Sequence, residues 1–177
     1  MMNVNLFLMI LVASPFSASA LAQWTQWGGP QRDFTAPSRA LSLDWPESGP
    51  AELWSRELGD RFSSILYDQG TLYTMYRRGD EEVVVAIDAA NGKTSGRPLM
   101  SRLWTKKACF SISGGPISTP LMVGNRLFTV GSLAVLHGLD TKSGKILWKH
   151  DLVQELSASY MQRGYATTPW PLAILSS

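Results

Sequence analysis

The chain repeats itself. Ser63-Ser64-Ile65-Leu66-Tyr67-Asp68-Gln69-Gly70-Thr71-Leu72-Tyr73-Thr74 aligns without gaps on Ser118-Thr119-Pro120-Leu121-Met122-Val123-Gly124-Asn125-Arg126-Leu127-Phe128-Thr129, 55 residues later. Ala86-Ile87-Asp88-Ala89-Ala90-Asn91-Gly92-Lys93 aligns on Gly138-Leu139-Asp140-Thr141-Lys142-Ser143-Gly144-Lys145, 52 residues later. A third copy opens at Thr167-Thr168-Pro169, echoing Ser118-Thr119-Pro120. A period of about 50 residues constrains the fold strongly, because each unit must bury its faces against its neighbours.

Within each unit the signals are those of strands. Leu72-Tyr73-Thr74-Met75-Tyr76, Val83-Val84-Val85-Ala86-Ile87, Leu127-Phe128-Thr129-Val130 and Leu133-Ala134-Val135-Leu136 are rich in β-branched and aromatic residues. Val123-Gly124-Asn125-Arg126 places Gly-Asn between two apolar runs, which is hairpin chemistry. Helical periodicity is poor, and only Asp151–Met161 suits a short helical turn. The expectation is an all-β chain of four-stranded antiparallel units: strand, Gly turn, strand, loop, strand, Asp-x-x-x-Gly-Lys turn, closing strand. Recurring four-stranded units of this length are propeller blades.

The turn motif has a physical basis. Asp88 and Asp140 can accept backbone N–H groups inside a tight turn. Gly92 and Gly144 can take the left-handed conformation that closes it. In the second unit the closing strand is Ile146-Leu147-Trp148-Lys149, and the Trp148 ring is placed to pack between blades. Seven Trp in 177 residues fits such recurring contacts.

Gly138-Leu139-Asp140-Thr141-Lys142-Ser143-Gly144-Lys145-Ile146-Leu147-Trp148 resembles the A-x-D-x-x-T-G-x-x-x-W repeat of the PQQ-like (pyrroloquinoline-quinone-like) β-propeller family, with Gly for Ala and Ser for Thr. Residues 86–96 are similar through Lys93. Trp27-Gly28-Gly29-Pro30-Gln31-Arg32-Asp33 resembles the W-R-G-P-x-R-D lead-in of exported bacterial members. The resemblance covers roughly residues 24–94 and 114–169. It departs at Gly96, where the repeat wants Trp, and residues 95–112 fit no blade pattern. A frameshift there and ordinary divergence of a blade connection both stand open, and the tail from Trp170 to Ser177 shares the question.

The N-terminus reads as an export signal over residues 1–22. Leu6 to Ala13 form an apolar core too short to span a bilayer, followed by Ala20-Leu21-Ala22, so cleavage is expected between Ala22 and Gln23. Met1 to Asn5 contain no Lys or Arg, which departs from the usual pattern. With no Cys after the apolar run, no lipid anchor is expected, and no later stretch suits a membrane span. The mature chain is expected in the periplasm or secreted. Residues 23–50 form a Trp/Gly/Pro-rich lead-in. Residues 51–177 are expected to hold a partial propeller, with blades at about 51–104 and 114–152 and a third starting at 165. Propellers close with about four to eight blades, so two to three blades point to a fragment.

Chemistry-bearing residues are few. Net charge is +2 with scattered Lys and Arg, so no basic stripe for nucleic acid is present. Cys109 is the lone cysteine, which excludes an intramolecular disulfide and a cysteine zinc site. Asp80-Glu81-Glu82 could attract a cation but reads better as a solvated hairpin tip. His137 and His150 lack further ligands at useful spacing, and Gly114-Gly115-Pro116 lacks the Gly-Lys-Ser/Thr of a phosphate loop. Ser63, Ser64 and Ser118 have no recognisable base. No catalytic, cofactor or metal residue is therefore assigned; Asp88, Gly92, Asp140, Gly144 and Trp148 are read as structural repeat residues. The resemblance implies two functions: a non-catalytic interaction or assembly scaffold with protein partners, or the N-terminal fragment of a quinoprotein alcohol or sugar dehydrogenase. PQQ with calcium enters only under the second.

Overall fold

The computed structural model describes residues 23–36, 44–60, 63–79, 81–95, 115–159 and 164–170, and the backbone alone at 101–104. Residues 1–22, including Ala22, lie outside these, as do Asp80, Cys109, Gly114 and the tail beyond Trp170.

Two four-stranded antiparallel sheets carry the chain. The first holds β1 (Leu66–Asp68), β2 (Thr71–Arg78), β3 (Glu81–Asp88) and β4 (Ser101–Trp104), in that order. The second holds β5 (Leu121–Val123), β6 (Arg126–Val130), β7 (Val135–Asp140) and β8 (Ile146–Asp151). The described residues are all-β apart from α1 (Leu152–Leu156). Asp151 caps this helix, its carboxylate accepting from Val153 N and Gln154 N, while Glu155 Oε1 accepts from Asp151 N.

Equivalent residues of the two units hold equivalent registers. Asp68 pairs with Thr71 around a two-residue turn, as Val123 pairs with Arg126. Tyr73 faces Ala86 in one sheet, and Phe128 faces Gly138 in the other. Each motif turn closes the same way: Asp88 N donates to Lys93 O and Gly92 N to Asp88 O, and Asp140 N donates to Lys145 O and Gly144 N to Asp140 O. Gly92 and Gly144 both have φ near +70°, a conformation that side chains with a Cβ adopt only under strain.

The blades stack face on face. Leu66, Tyr73, Met75, Val84 and Ala86 from the first sheet share one core with Met122, Leu127 and Leu139 from the second. The opposite face of the first sheet, with Tyr76, Val83, Val85 and Ile87, is covered by Trp54 and Leu58. Trp54 Nε1 donates to Ala89 O, and Arg56 donates to Gly92 O and Thr94 Oγ1, so this strap stands where a preceding blade would. Each fully buried side chain here contributes about 2 kcal/mol.

Two expectations need correction. Glu81 and Glu82 are not a solvated hairpin tip: both belong to β3, and Glu82 is 2 % exposed. Within the stretch that fits no repeat pattern, Ser101–Trp104 forms a fourth strand against β3, inside the blade expected at about 51–104. It pairs with Glu81 to Val84, whereas β8 pairs along nearly the whole of β7, so the first blade closes late. Leu133 and Ala134 precede β7 rather than belonging to it; Ala134 has φ +64° in the turn after β6.

Candidate functional site

The polar groups with the most constrained surroundings lie along the seam between the blades. Glu82, near the start of β3, reaches the β6–β7 turn of the next blade. Its Oε1 accepts Ser132 N at 2.9 Å and also the Ser132 hydroxyl. Gly131 makes room, since a Cβ there would collide with Glu82 Oε2. Burial pushes the Glu82 carboxyl above its usual range, while the two Ser132 bonds and the Arg77 charge pull it back.

Hydroxyls continue this seam. Thr119 Oγ1 donates to Ser64 Oγ at 3.1 Å, and Thr74 Oγ1 donates to Ser64 O at 3.3 Å. Ser118 donates to Val130 O and lies 3.9 Å from Met75 Sδ. Ser63 donates to Ser64 O at 3.3 Å. These serines are bound into the blade junction, and none has a base as its partner.

His137 is 5 % exposed and sits opposite Thr129 across β6 and β7. Thr129 Oγ1 and His137 Nδ1 are both buried without a hydrogen-bond partner. Burial, with the Lys149 charge adding to it, lowers the imidazole to a pKa of about 4 against an opposing backbone bond at Val135. The ring is therefore neutral at physiological pH. His150 pairs with Leu136 and His137 with Lys149, so strand alternation puts the two rings on opposite sheet faces. His150 instead stacks on Trp148 at 5.4 Å, and its Nδ1 lies 2.6 Å from Glu155 Oε2. That contact and Asp151 N hold Glu155 below its ordinary range. Among the described residues no group of three or more His, Cys, Asp or Glu could hold a metal ion.

The repeat aspartates are engaged in their own turns. Asp140 Oδ1 accepts Ser143 Oγ and Ser143 N, both at 2.7 Å, which lowers its carboxyl below the usual range. Asp88 Oδ1 accepts Ala90 N at 2.8 Å and faces an open cleft lined by Tyr67, Gln69, Thr71 and Ser95. Trp148 lies across its partner Gly138, where a Cβ would strike the indole, and contacts Phe128 at 5.8 Å. Gly115 and Pro116 are buried at the blade junction, and a Cβ on Gly115 would meet Asp60 O.

Sequence reading missed the Glu82–Ser132 link and the character of His137. The second was available by extending the alignment: at the 52-residue offset His137 occupies the place of Val85.

A family model described as outer membrane protein assembly factor BamB, a PQQ-like repeat model, matches residues 80–169, just over half of the chain. The chain belongs to that family. Among solved structures, the PQQ-like chain is similar to BamB from Moraxella catarrhalis, with 18 % identity and a TM-score of 0.40. The match covers 55 % of this chain and 26 % of that one, so this chain spans about a quarter of that protein's length. No curated protein matches it. No helix among the described residues is long and apolar enough to cross a membrane.

Proposed function

We propose that the chain is an exported propeller segment that acts as a non-catalytic interaction scaffold for protein assembly. The observation that carries this reading is the use made of the repeat residues. Asp88 and Asp140 bind their own turn amides, and Gly92, Gly144 and Trp148 shape turn and strand. The motif thus builds blades, and family membership associates such blades with assembly of outer membrane proteins.

A bound quinone with calcium would need free carboxylates converging on one point. The described residues do not fit this: the repeat carboxylates are occupied, and Glu82 is turned into the blade seam. No step through such a group is derived. Export with cleavage between Ala22 and Gln23, residence in the periplasm, and protein rather than nucleic-acid partners complete the proposal.

The test uses the full-length protein in two arms. Co-purification with the outer-membrane assembly machinery from membranes is the expected result. Dye reduction with alcohols or sugars after adding PQQ and calcium, together with cofactor absorbance, would overturn the reading. Sequencing the N-terminus of protein from the periplasmic fraction should begin at Gln23.

A further inference from the structure

The inner edges of the two sheets share one occupant. Trp24 and Tyr67 exchange both backbone hydrogen bonds, at 2.8 and 2.9 Å, so the lead-in pairs with β1. The next residue turns to the other blade: Thr25 O accepts Met122 N at 2.8 Å, on β5. Tyr67 and Met122 are the same position of the repeat, 55 residues apart. Consecutive residues stand about 3.8 Å apart, so the edges of β1 and β5 converge at this point. Convergence of first strands is the geometry of a propeller axis.

The segment then reaches the third unit. Thr167-Thr168-Pro169-Trp170 continues the echo of Ser118-Thr119-Pro120-Leu121, which places Trp170 where Leu66 and Leu121 stand. The Arg32 guanidinium lies 3.4 Å from the centre of the Trp170 ring. Arg32 is held for this contact. Its Nε donates to Gln26 Oε1 at 2.9 Å, its N donates to Gly29 O, and Phe34 N donates to Gly28 O. Arg32 and Phe34 both carry positive φ, near +60°, in a compact knob where Trp27 meets Phe34 edge to face. Gln23 Nε2 adds a bond to Asp68 Oδ1 at 2.9 Å.

We propose that the inner edges of β1 and β5, together with Trp170, form an axial site for an extended peptide, and that residues 23–32 fill it in cis. The site recognises main-chain donors and acceptors through β-augmentation and an arginine through the Trp170 face. The segment's contacts at Tyr67 and Met122 fall on equivalent positions of the two blades. This inference does not depend on the scaffold role, because it concerns which groups the axis binds.

The experiment follows amide exchange in the full chain. The Tyr67 and Met122 amides donate to Trp24 O and Thr25 O of the lead-in rather than to a strand of their own sheets. Trp24→Pro removes the donor to Tyr67 O, and Arg32→Gln removes the stacked cation without touching the backbone. Expected is slow exchange at both amides in the wild type and exchange at least about tenfold faster in Trp24→Pro, with the β3 amides unchanged. A synthetic peptide of residues 23–34 should bind the Trp24→Pro chain and restore protection, and should leave the wild type unaltered. Where Trp24→Pro also loosens β3, Arg32→Gln decides, with faster exchange confined to Tyr67 and Met122. Fast exchange of these two amides in the wild type would overturn the proposal. So would a peptide that fails to protect them in a variant whose β3 stays intact.

Discussion

Glu82 on β3 and Ser132 in the following blade are joined by two hydrogen bonds across 50 residues of sequence. A carboxylate this buried is tolerable because its Oε1 accepts two hydrogen bonds and Gly131 leaves space for its Oε2.

Replacing Glu82 separates its two roles. Glu82→Ala removes the acceptor and strands the Ser132 donors beside a new cavity, and should lower stability by about 2–3 kcal/mol in urea titrations. Glu82→Gln keeps an oxygen for Ser132 and removes the buried charge. The Glu82 carboxyl is raised in the fold, so the folded state holds the proton more tightly than the unfolded chain. Wild-type stability should therefore fall as pH rises from about 4.5 through the folded value, and Glu82→Gln should lose this slope.

His137 should give the opposite slope. Its folded pKa of about 4 lies below the ordinary 6.5, so between these values the unfolded chain binds more protons. Stability is fully present above pH 6.5 and is lost as pH falls toward 4. His137→Val copies the first blade, where Val85 holds the position, and removes the unpartnered nitrogen. Thermal melts at pH 5 should favour His137→Val over wild type by about 1–2 kcal/mol.

Glycines of similar backbone angle should differ in cost. Gly92 has φ +71° and the Trp54 ring against it, whereas Gly124 has φ +56° and open space. Gly124→Ala should cost about 1 kcal/mol, the backbone strain alone. Gly92→Ala should cost about 2 kcal/mol or more and shift Trp54 fluorescence, because the added methyl displaces the indole.

The turn carboxylate is testable without disturbing the core. Asp140→Ala frees Ser143 N and the Ser143 hydroxyl and should lower the denaturant midpoint at neutral pH. Asp140→Asn, which keeps an acceptor, should recover much of this. Equal losses in both variants, measured by denaturant midpoint, would show that charge rather than acceptor geometry holds the turn.

Much of the blade was legible in the residues. The 55- and 52-residue offsets, the Asp-to-Gly spacing and the runs at Leu72 and Val83 state local geometry, which neighbouring residues decide. The hairpin at Gly124-Asn125 followed from the same local chemistry. The seam was less legible. Asp80-Glu81-Glu82 has the composition of a solvated tip, and only a partner far along the chain makes Glu82 a buried acceptor. The fourth strand at Ser101–Trp104 was hidden for a related reason: it forms on an edge of β3 left open by the interrupted motif.

By itself the sequence determined most of the unit: its inner strands, its Gly and Asp-to-Gly turns and their order, because each depends on contacts within a few residues. The tertiary structure alone decided what the units do to one another. Stacking placed Glu82 against Ser132, buried Thr129 Oγ1 and His137 Nδ1 without hydrogen-bond partners, and brought Tyr67, Met122 and Trp170 around residues 23–32. Those outcomes depend on distances in space between residues far apart in the chain, which no local spacing encodes.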